Sequence, residues 1–443
     1  MLDSIHKTAG RLSIHRGFRR YFFNTSWMFG EKVLRIVAEL LVGIYVARYL
    51  GPEKFGIYSY AAAFVLLFGA IARMGLDGIV VRDLVNDPAR RDVYLGTAFW
   101  LKFFGALLAM GMMALAVQFT SNDLTTRLYI FIMASGLLFQ SFDVVDFYFQ
   151  SRVQSKAVSL AKLTQLALSS ILKLYFIFID ADLFWFVAVS LVDQISLASA
   201  LAFAFWRQKI GRFLGRFELA TARELLKNSW PLVVSGLAIS LYMRIDQVMI
   251  REMLGEREVG LYSSAVRLSE AWYFVPVIIS TSLFPAIINA RKVSQELYDI
   301  RMRRLYSAMI YFAIGVALPV TLTAESIVVE LYGMHYQGAG AVLSIHIWAG
   351  IFVAVGVANA QWFLAENLQR LATLNTLLGA ATNVALNYLL IPAYGLTGAA
   401  SATVISYAVS VYLSLFISIK TRERFFAISR SLIPTKDIFH VHS

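Results

Sequence analysis

The chain has 443 residues, 58% of them hydrophobic and only 15% charged, with a mean hydropathy of +0.65. Soluble domains carry about 45–50% apolar and about 25% charged residues, so a chain folded in water is excluded and a polytopic membrane protein is indicated. The net charge of +12 would suggest nucleic acid in a soluble protein. Here the basic residues sit mostly between apolar runs, so they read as orientation signals and no nucleic-acid partner is expected. The absence of cysteine excludes disulfides, thiolate metal sites and cysteine nucleophiles.

Residues 1–23 are basic (Lys7, Arg11, Arg16, Arg19, Arg20) with interspersed apolar residues (Ile5, Leu12, Ile14, Phe18, Phe22). They lack the continuous apolar core and small-residue cleavage site of a signal peptide, and read as an interfacial segment on the inner leaflet. A hydrocarbon core of about 30 Å takes about twenty residues of helix. On that basis twelve spans are predicted, at 25–49, 55–80, 94–119, 124–149, 158–179, 183–206, 229–253, 260–288, 304–323, 338–363, 369–391 and 396–419. The loops on the side of the N-terminus, with both termini, collect 27 Lys and Arg, against three (Lys54, Arg127, Arg257) on the other side. That imbalance places both termini in the cytoplasm.

Leu50-Gly-Pro-Glu-Lys-Phe-Gly-Ile-Tyr-Ser-Tyr-Ala61 closely matches Leu254-Gly-Glu-Arg-Glu-Val-Gly-Leu-Tyr-Ser-Ser-Ala265, and Asn24-Thr-Ser-Trp27 is echoed by Asn228-Ser-Trp230. Six spans separate the copies, an even number, so the halves are expected to be parallel repeats related by an axis along the membrane normal. This gives a six-helix lobe at 24–206, a cytoplasmic linker at 207–227, a second six-helix lobe at 228–420 and a cytoplasmic tail at 421–443. Two such lobes around a central cavity can rock to expose it to alternate sides.

Ionisable side chains inside a span cost roughly 2.5–3.5 kcal/mol on insertion scales, so they normally face a partner or a wet cavity. Glu31, Arg35 and Glu39 lie at i, i+4, i+8 in the first span, and Arg73 and Asp77 share a face of the second. Gln140, Asp143, Asp146 and Gln150 stripe the fourth span, and Lys162, Gln165, Ser169 and Lys173 the fifth. Arg244 and Arg251 share a face of the seventh, and Arg267 and Glu270 a face of the eighth. Structural ion pairing and cavity lining are both open for these groups, while Lys102 and Lys162 sit where they could snorkel. Lys173, Arg244 and Arg35 are deepest. A chamber lined by such groups prefers an anionic cargo, since the planar guanidinium fork matches phosphate oxygens. A diphosphate head bearing a sugar chain fits, with an isoprenoid tail left in the bilayer. Asp246, with Asn383, Asn387 and Thr403, offers oxygen ligands for a hard monovalent cation. Helix–helix hydrogen bonding is the other reading of these amides and hydroxyls. His335 and His346 are isolated and read as packing or loop residues. No Gly-rich phosphate cradle is present, so ATP hydrolysis is not indicated.

The Leu50-Gly51-Pro52…Phe55-Gly56-Ile57-Tyr58-Ser59 turn, its copy at Leu254, and Asn387-Tyr-Leu-Leu-Ile-Pro-Ala-Tyr-Gly-Leu-Thr-Gly-Ala-Ala400 resemble the polysaccharide-transport and O-antigen flippase branch of the multidrug/oligosaccharidyl-lipid/polysaccharide exporter superfamily. The resemblance covers roughly Asn24 to Lys420. It implies a V-shaped, alternating-access transporter, not an enzyme. It also implies export of polyprenyl-diphosphate-linked glycans, as in lipopolysaccharide synthesis, to the outer leaflet of the cytoplasmic membrane, with Na+ or H+ coupling and no other cofactor. Arg35, Arg73 and Arg267 are similar in placement to cavity arginines of the related lipid II flippases. Asp246, Asn383 and Asn387 resemble their sodium site, with an amide replacing one carboxylate. The expected substrate-binding set is Arg35, Arg73, Lys173, Arg244 and Arg267, with Glu31, Glu39, Asp77 and Glu270 as the acidic coupling set. The expected partners are the lipid-linked glycan, membrane lipids and glycan assembly proteins around a monomer. A drug or cation antiporter would call for less cationic lobes. A membrane glycan polymerase or ligase would need a sizeable outer loop, and the loops here are short.

Overall fold

The computed structural model describes the backbone of residues 2–208 and 211–432, and within that range the side chains of Trp27 and of residues from 30 onward. The side chains expected at the interface in 1–23, together with His440 and His442 of the tail, lie outside the described residues. The described chain is helical and contains no strand. Its α-helices are α1 (Leu2–Arg73), α2 (Asp77–Asn86), α3 (Arg91–Ala116), α4 (Leu124–Phe139), α5 (Val144–Ser151), α6 (Ser155–Phe178), α7 (Leu183–Arg207) and α8 (Leu219–Met253). They continue with α9 (Glu256–Glu270), α10 (Phe274–Arg291), α11 (Gln295–Tyr332), α12 (Ala339–His346), α13 (Ala349–Ala365), α14 (Gln369–Val411) and α15 (Ile419–Ser431). Helix is what a lipid solvent dictates, because every backbone N–H and C=O must be satisfied within the segment.

Ten helical stretches among the described residues are long and apolar enough to cross a membrane. Two of them, Gly30–Asn86 with 57 residues and Gln369–Phe416 with 48, would each extend more than about 70 Å at 1.5 Å per residue, over twice the hydrocarbon thickness. Each is broken by a glycine in a conformation closed to other residues: Gly51 at φ 70°, ψ 168° and Gly395 at φ 58°, ψ −136°. Pro52 then opens the next helical stretch, where its fixed φ is favourable and its missing N–H costs nothing. The ten helices therefore supply the twelve predicted crossings, and the all-α membrane fold is borne out.

The chain divides into two compact units. One joins the chain up to Val46 to Phe68–Val233, and the other joins Ala47–Leu67 to the chain from Val234 onward. In the first, α6 packs along α7, α7 on α4, and α2 on α5, around a core that includes Leu95, Phe99, Val145, Phe149, Leu201 and Phe205. The stretch after α7 is tied to α3: Trp100 Nε1 donates to the Leu214 carbonyl at 2.9 Å, and the Glu218 N–H to Thr97 Oγ1 at 3.1 Å. A β-carbon at Gly96 would meet the Phe213 and Arg216 carbonyls. In the second unit, α11 packs on α12, α13 and α15, and α13 on α14, around Tyr298, Met302, Tyr306 and Trp362. Large apolar residues such as Leu34, Phe104, Ile171, Leu322 and Leu389 stay exposed on the helices, the outward face that lipid rather than water requires.

The repeat found in the sequence is realised as a contact inside the second unit. Gly51 and Gly255 both take a positive φ, 70° and 111°, ending one helical stretch before the next begins at Pro52 and Glu256. A β-carbon on Gly56 would fall on the Glu256 carbonyl, and one on Gly260 would fall on the Pro52 carbonyl. Pro52 corresponds to Glu256 and Gly56 to Gly260 at the repeat offset, so the contact is reciprocal and each copy supplies both parts. Small residues allow this backbone approach, which gives van der Waals attraction where no hydrophobic force acts between helices.

Replacing Gly56 or Gly260 by Leu forces one backbone off the other and is expected to destabilise the protein by about 1–3 kcal/mol, the usual cost of overpacking. Gly111→Ala, where nothing lies within 4 Å of an added β-carbon, is expected to be neutral or slightly stabilising. Thermal unfolding in detergent compares them, and equal effects at the three positions would show that the reciprocal contact contributes nothing.

Candidate functional site

In the first unit the intramembrane cations meet carboxylates. Arg35 Nε lies 3.1 Å from Glu31 Oε1, one turn back on α1, with Glu31 buried and Arg35 about a third exposed. Lys102, 1% exposed, reaches Asp143 at 3.3 Å and lies 5.0 Å from the Phe147 ring centroid. Its ammonium is thus buried and paired where the sequence suggested snorkelling. Lys162 pairs with Asp146 at 2.8 Å, and Gln150 donates to the same carboxylate. Lys173 lies 3.6 Å from Asp193 on the neighbouring α7, which also accepts from Ser169 at 3.0 Å. Glu39 is exposed on α1. Arg73 and Asp77 do not share a helical face as predicted. Met74 and Gly75 both take left-handed backbone angles, φ 56° and 61°, which ends α1 at Arg73 and redirects the chain before Asp77 opens α2.

In the second unit Arg244 of α8 and Glu270 of α9 form a two-pronged pair, Nη2 to Oε2 at 2.9 Å and Nη1 to Oε1 at 3.3 Å. Glu270 therefore answers Arg244 rather than Arg267, which shares its helix. Arg267 instead stands 5.3 Å from the Phe55 ring, a cation–π contact that keeps its charge on an aromatic face. Arg251 pairs with Glu256 at 2.7 Å and lies 5.9 Å from the Tyr60 ring. The fork geometry of Arg244–Glu270 suits low dielectric, since two parallel charge-assisted bonds hold both charges after water is removed.

Asp246, two residues beyond Arg244, is 1% exposed. It accepts from the Tyr262 hydroxyl, from the Gln247 N–H at 2.8 Å and from Thr403 Oγ1 at 3.4 Å. All four residues expected to hold a cation are thus buried carboxylate, hydroxyl or amide groups on α8 and α14, and two of them, Asp246 and Thr403, are in direct contact. The other two, Asn383 and Asn387, lie one turn apart on α14 and are wholly buried; Asn387 Nδ2 donates to Asn383 Oδ1 at 3.0 Å. Asn387 Oδ1 and Asn383 Nδ2 have no hydrogen-bond partner. An orphaned buried amide oxygen is costly, and its chemistry is that of a ligand for a hard monovalent cation.

Two participants, Asp193 and Tyr262, escaped the sequence reading, whereas His346 was read as a packing or loop residue. Asp193 is an acid inside an apolar helix, a signal that was available. Tyr262 lay inside the repeat motif, but nothing in the motif showed that its hydroxyl would reach Asp246. His346 is buried and hydrogen-bonded to Ser269 Oγ at 2.9 Å, next to Glu270 in the chain, so it belongs to this polar interior as a packing residue.

A family model described as "Polysaccharide biosynthesis protein" matches residues 23–291. Among curated relatives, the chain is 26% identical over 240 residues to a "Probable low-salt glycan biosynthesis flippase", Agl15, of Haloferax volcanii, an alignment covering 53% of this chain and 51% of that protein. It is 24% identical to "Probable flippase AglR" of the same organism, covering 87% of this chain and 81% of that protein. Among solved structures, an inward-facing multidrug resistance MATE family transporter superposes with a TM-score of 0.69 at 15% identity, covering 89% of this chain and 96% of that one. The lipid II flippase MurJ in an inward closed conformation gives 0.64 at 13% identity, covering 93% and 91%. At these identities the structures share the fold.

Glu270→Gln removes half of the Arg244 pair and leaves a guanidinium about four-fifths buried without its counter-charge. It is expected to destabilise by about 3 kcal/mol, while Arg244→Gln with Glu270→Gln recovers part of the loss. Denaturation of the single and double variants measures this, and additive losses would mean that the two side chains are not coupled.

Proposed function

Since the chain belongs to the polysaccharide biosynthesis protein family, we propose that it is a flippase. In this reading it carries a polyprenyl-diphosphate-linked oligosaccharide from the cytoplasmic to the outer leaflet of the cytoplasmic membrane by alternating access, with both termini cytoplasmic. The flippase names of two relatives support the reading, and so does the 27-to-three distribution of Lys and Arg between the two sides. The observation that carries it is the Arg244–Glu270 fork. A guanidinium held in two-pronged contact with a carboxylate inside a span is preorganised for the oxygens of a phosphate, which can replace the carboxylate with the same geometry.

Arg35, Arg73, Lys173, Arg244 and Arg267 form the diphosphate-binding set of this proposal. Their acidic neighbours have a stated role. Glu31 and Glu270 pair with Arg35 and Arg244 in the absence of cargo, and Glu39 and Asp77 moderate the positive potential. Arrival of the diphosphate then exchanges one anion for another at the paired cations Arg35, Lys173 and Arg244, so binding there does not strand a charge in hydrocarbon. Release restores the internal pairs, which keeps affinity low enough for turnover.

Coupling is assigned to the Asp246 node. Asp246, Thr403, Asn383 and Asn387 present carboxylate, hydroxyl and amide oxygens, and Asn387 Oδ1 lacks a partner. A monovalent cation bound there on one side of the membrane and released on the other would bias the alternation in one direction. Na+ suits the oxygen set, and protonation of Asp246 is the alternative carrier.

Purified protein in liposomes, supplied with a fluorescent polyprenyl-diphosphate N-acetylglucosamine, is expected to move the probe between leaflets. Arg244→Lys keeps the charge and loses the fork, and is expected to slow transport about tenfold or more, the weight of a charge-assisted bidentate contact of about 1.5–3 kcal/mol. An imposed Na+ gradient is expected to accelerate uptake by the wild type, and Asp246→Asn to abolish that response. Wild-type vesicles that leave the probe in its starting leaflet, with or without a gradient, would refute the assignment.

A further inference from the structure

A half-open cavity of about 310 Å³ lies wholly within the second unit, between α8, α13, α14 and the turn that joins α9 to α10. None of the expected site residues lines it. Three small residues on its wall, Gly356, Ala360 and Ala372, leave the room, and the Tyr242 ring meets Tyr407 edge-on at 5.1 Å beside them. Most of the wall surface is apolar; Asn375, Thr376 and Ser410 also line it, and the Thr376 hydroxyl is spent on the Ala372 carbonyl at 2.9 Å. The amide of Asn359 is used internally, accepting from the Tyr306 hydroxyl at 2.7 Å and donating to the Val411 carbonyl at 2.6 Å. The hydroxyl of Tyr273 is buried beside Ser269.

Unfilled apolar space of this size forfeits packing contacts, so an occupant that fits it is favoured. Water is a poor one, because an ordered water needs two to four polar partners and this wall offers few. A glycan is poorly matched for the same reason, and the volume is at the small end of ligand sites. An apolar chain fits. The position selects which part of which chain: Tyr242 and Met243 line the cavity and the next residue is Arg244, whose guanidinium holds Glu270. Tyr273, which also lines the cavity, follows Glu270 by three residues, so the cavity and the pair share this turn as well as α8. Apolar space therefore abuts a phosphate-compatible cation, the arrangement a lipid needs where its head joins its tail.

We propose that this cavity seats the isoprene units nearest the diphosphate of the polyprenyl carrier. The proposal rests on the flippase reading for the identity of the carrier, and the binding claim can be tested apart from transport. The cavity sets specificity for a branched isoprenoid start to the tail, while the distal tail runs on in the bilayer.

The test uses the full chain in liposomes with a polyprenyl-diphosphate N-acetylglucosamine bearing a photoreactive diazirine on its second isoprene unit. A phosphatidylglycerol bearing the diazirine on its acyl chain serves as the second probe. Light is expected to attach the prenyl probe to peptides of α13 and α14 around Gly356–Phe363 and Ala372–Thr376, and an excess of unlabelled prenyl diphosphate to displace it. Ala372→Phe fills the space and is expected to cut this labelling and the translocation rate at least fivefold. Ala360→Leu is expected to give a smaller loss in both, and Leu389→Phe on the exposed face of α14 none. Thermal unfolding confirms that the variants fold.

Labelling that misses this wall, or that survives Ala372→Phe in folded protein, overturns the proposal. So does labelling by phosphatidylglycerol that prenyl diphosphate cannot displace, which would make the cavity a bulk-lipid site. Wild type that flips the glycan with the wall unlabelled removes the cavity and leaves the function. A wall labelled competitively in protein that flips nothing retains the binding site and removes the flippase reading.

Discussion

A charge taken into hydrocarbon must bring its counter-charge, and this requirement orders the interior of both units. Lys102 finds Asp143, Lys162 finds Asp146 and Lys173 finds Asp193. In the second unit Arg244 finds Glu270 and Arg251 finds Glu256. Most of these pairs join residues of different helices, so each one fixes how two helices face each other as well as satisfying its charges. Removing either partner leaves the other uncompensated in low dielectric, which is far more costly than never having placed the pair. The pairs are therefore retained together, and they hold cations at depth. A phosphate can compete for such a cation because the replacement conserves charge.

The two halves divide scaffold from chemistry. Gly51 and Gly255 match in their positive φ, and Gly56 and Gly260 in the carbonyl each abuts, so the duplication is maintained where helices approach closely. The groups proposed to bind cargo and cation are not duplicated. At the repeat offset Arg244, Asp246 and Glu270 correspond to Leu40, Val42 and Leu66. The fork and the Asp246 node thus belong to the second half alone. The first half carries its cations on other helices, with lysines dominating. Lysine and arginine differ here in consequence: an ammonium is a compact point charge, whereas the guanidinium fork imposes direction on what replaces its carboxylate.

The polar node and the apolar cavity of the second unit share α8 and α14. Tyr242 and Met243 face the cavity, Arg244 the ion pair and Asp246 the node, so five consecutive residues of one helix serve three environments. A helix rotates its side chains by about 100° per residue, and this is how one segment reaches all three. Such sharing ties events in the three places together. A shift of α8 that admits an anion at Arg244 also alters the walls of the cavity and the oxygens around Asp246.

Length, hydropathy and loop charge were sufficient to read a helical membrane protein with twelve crossings, because hydrocarbon thickness and backbone satisfaction leave a lipid-embedded chain few options. The repeat was also legible, since a glycine that must adopt a positive φ cannot be exchanged for another residue. The family resemblance rested on those same turns. Pairing was less legible. Glu31–Arg35 could be read from helical spacing, as both lie on one continuous helix. Arg73–Asp77 could not, because Met74 and Gly75 break the helix between them. Glu270 met Arg244 of another helix, and Lys173 met an aspartate that spacing alone never singled out. The cavity was invisible, being made of glycine, alanine and ring faces drawn from segments more than a hundred residues apart. Periodicity along one helix says which residues share a face. Which faces meet is settled only when helices pack, and that is a property of the tertiary structure.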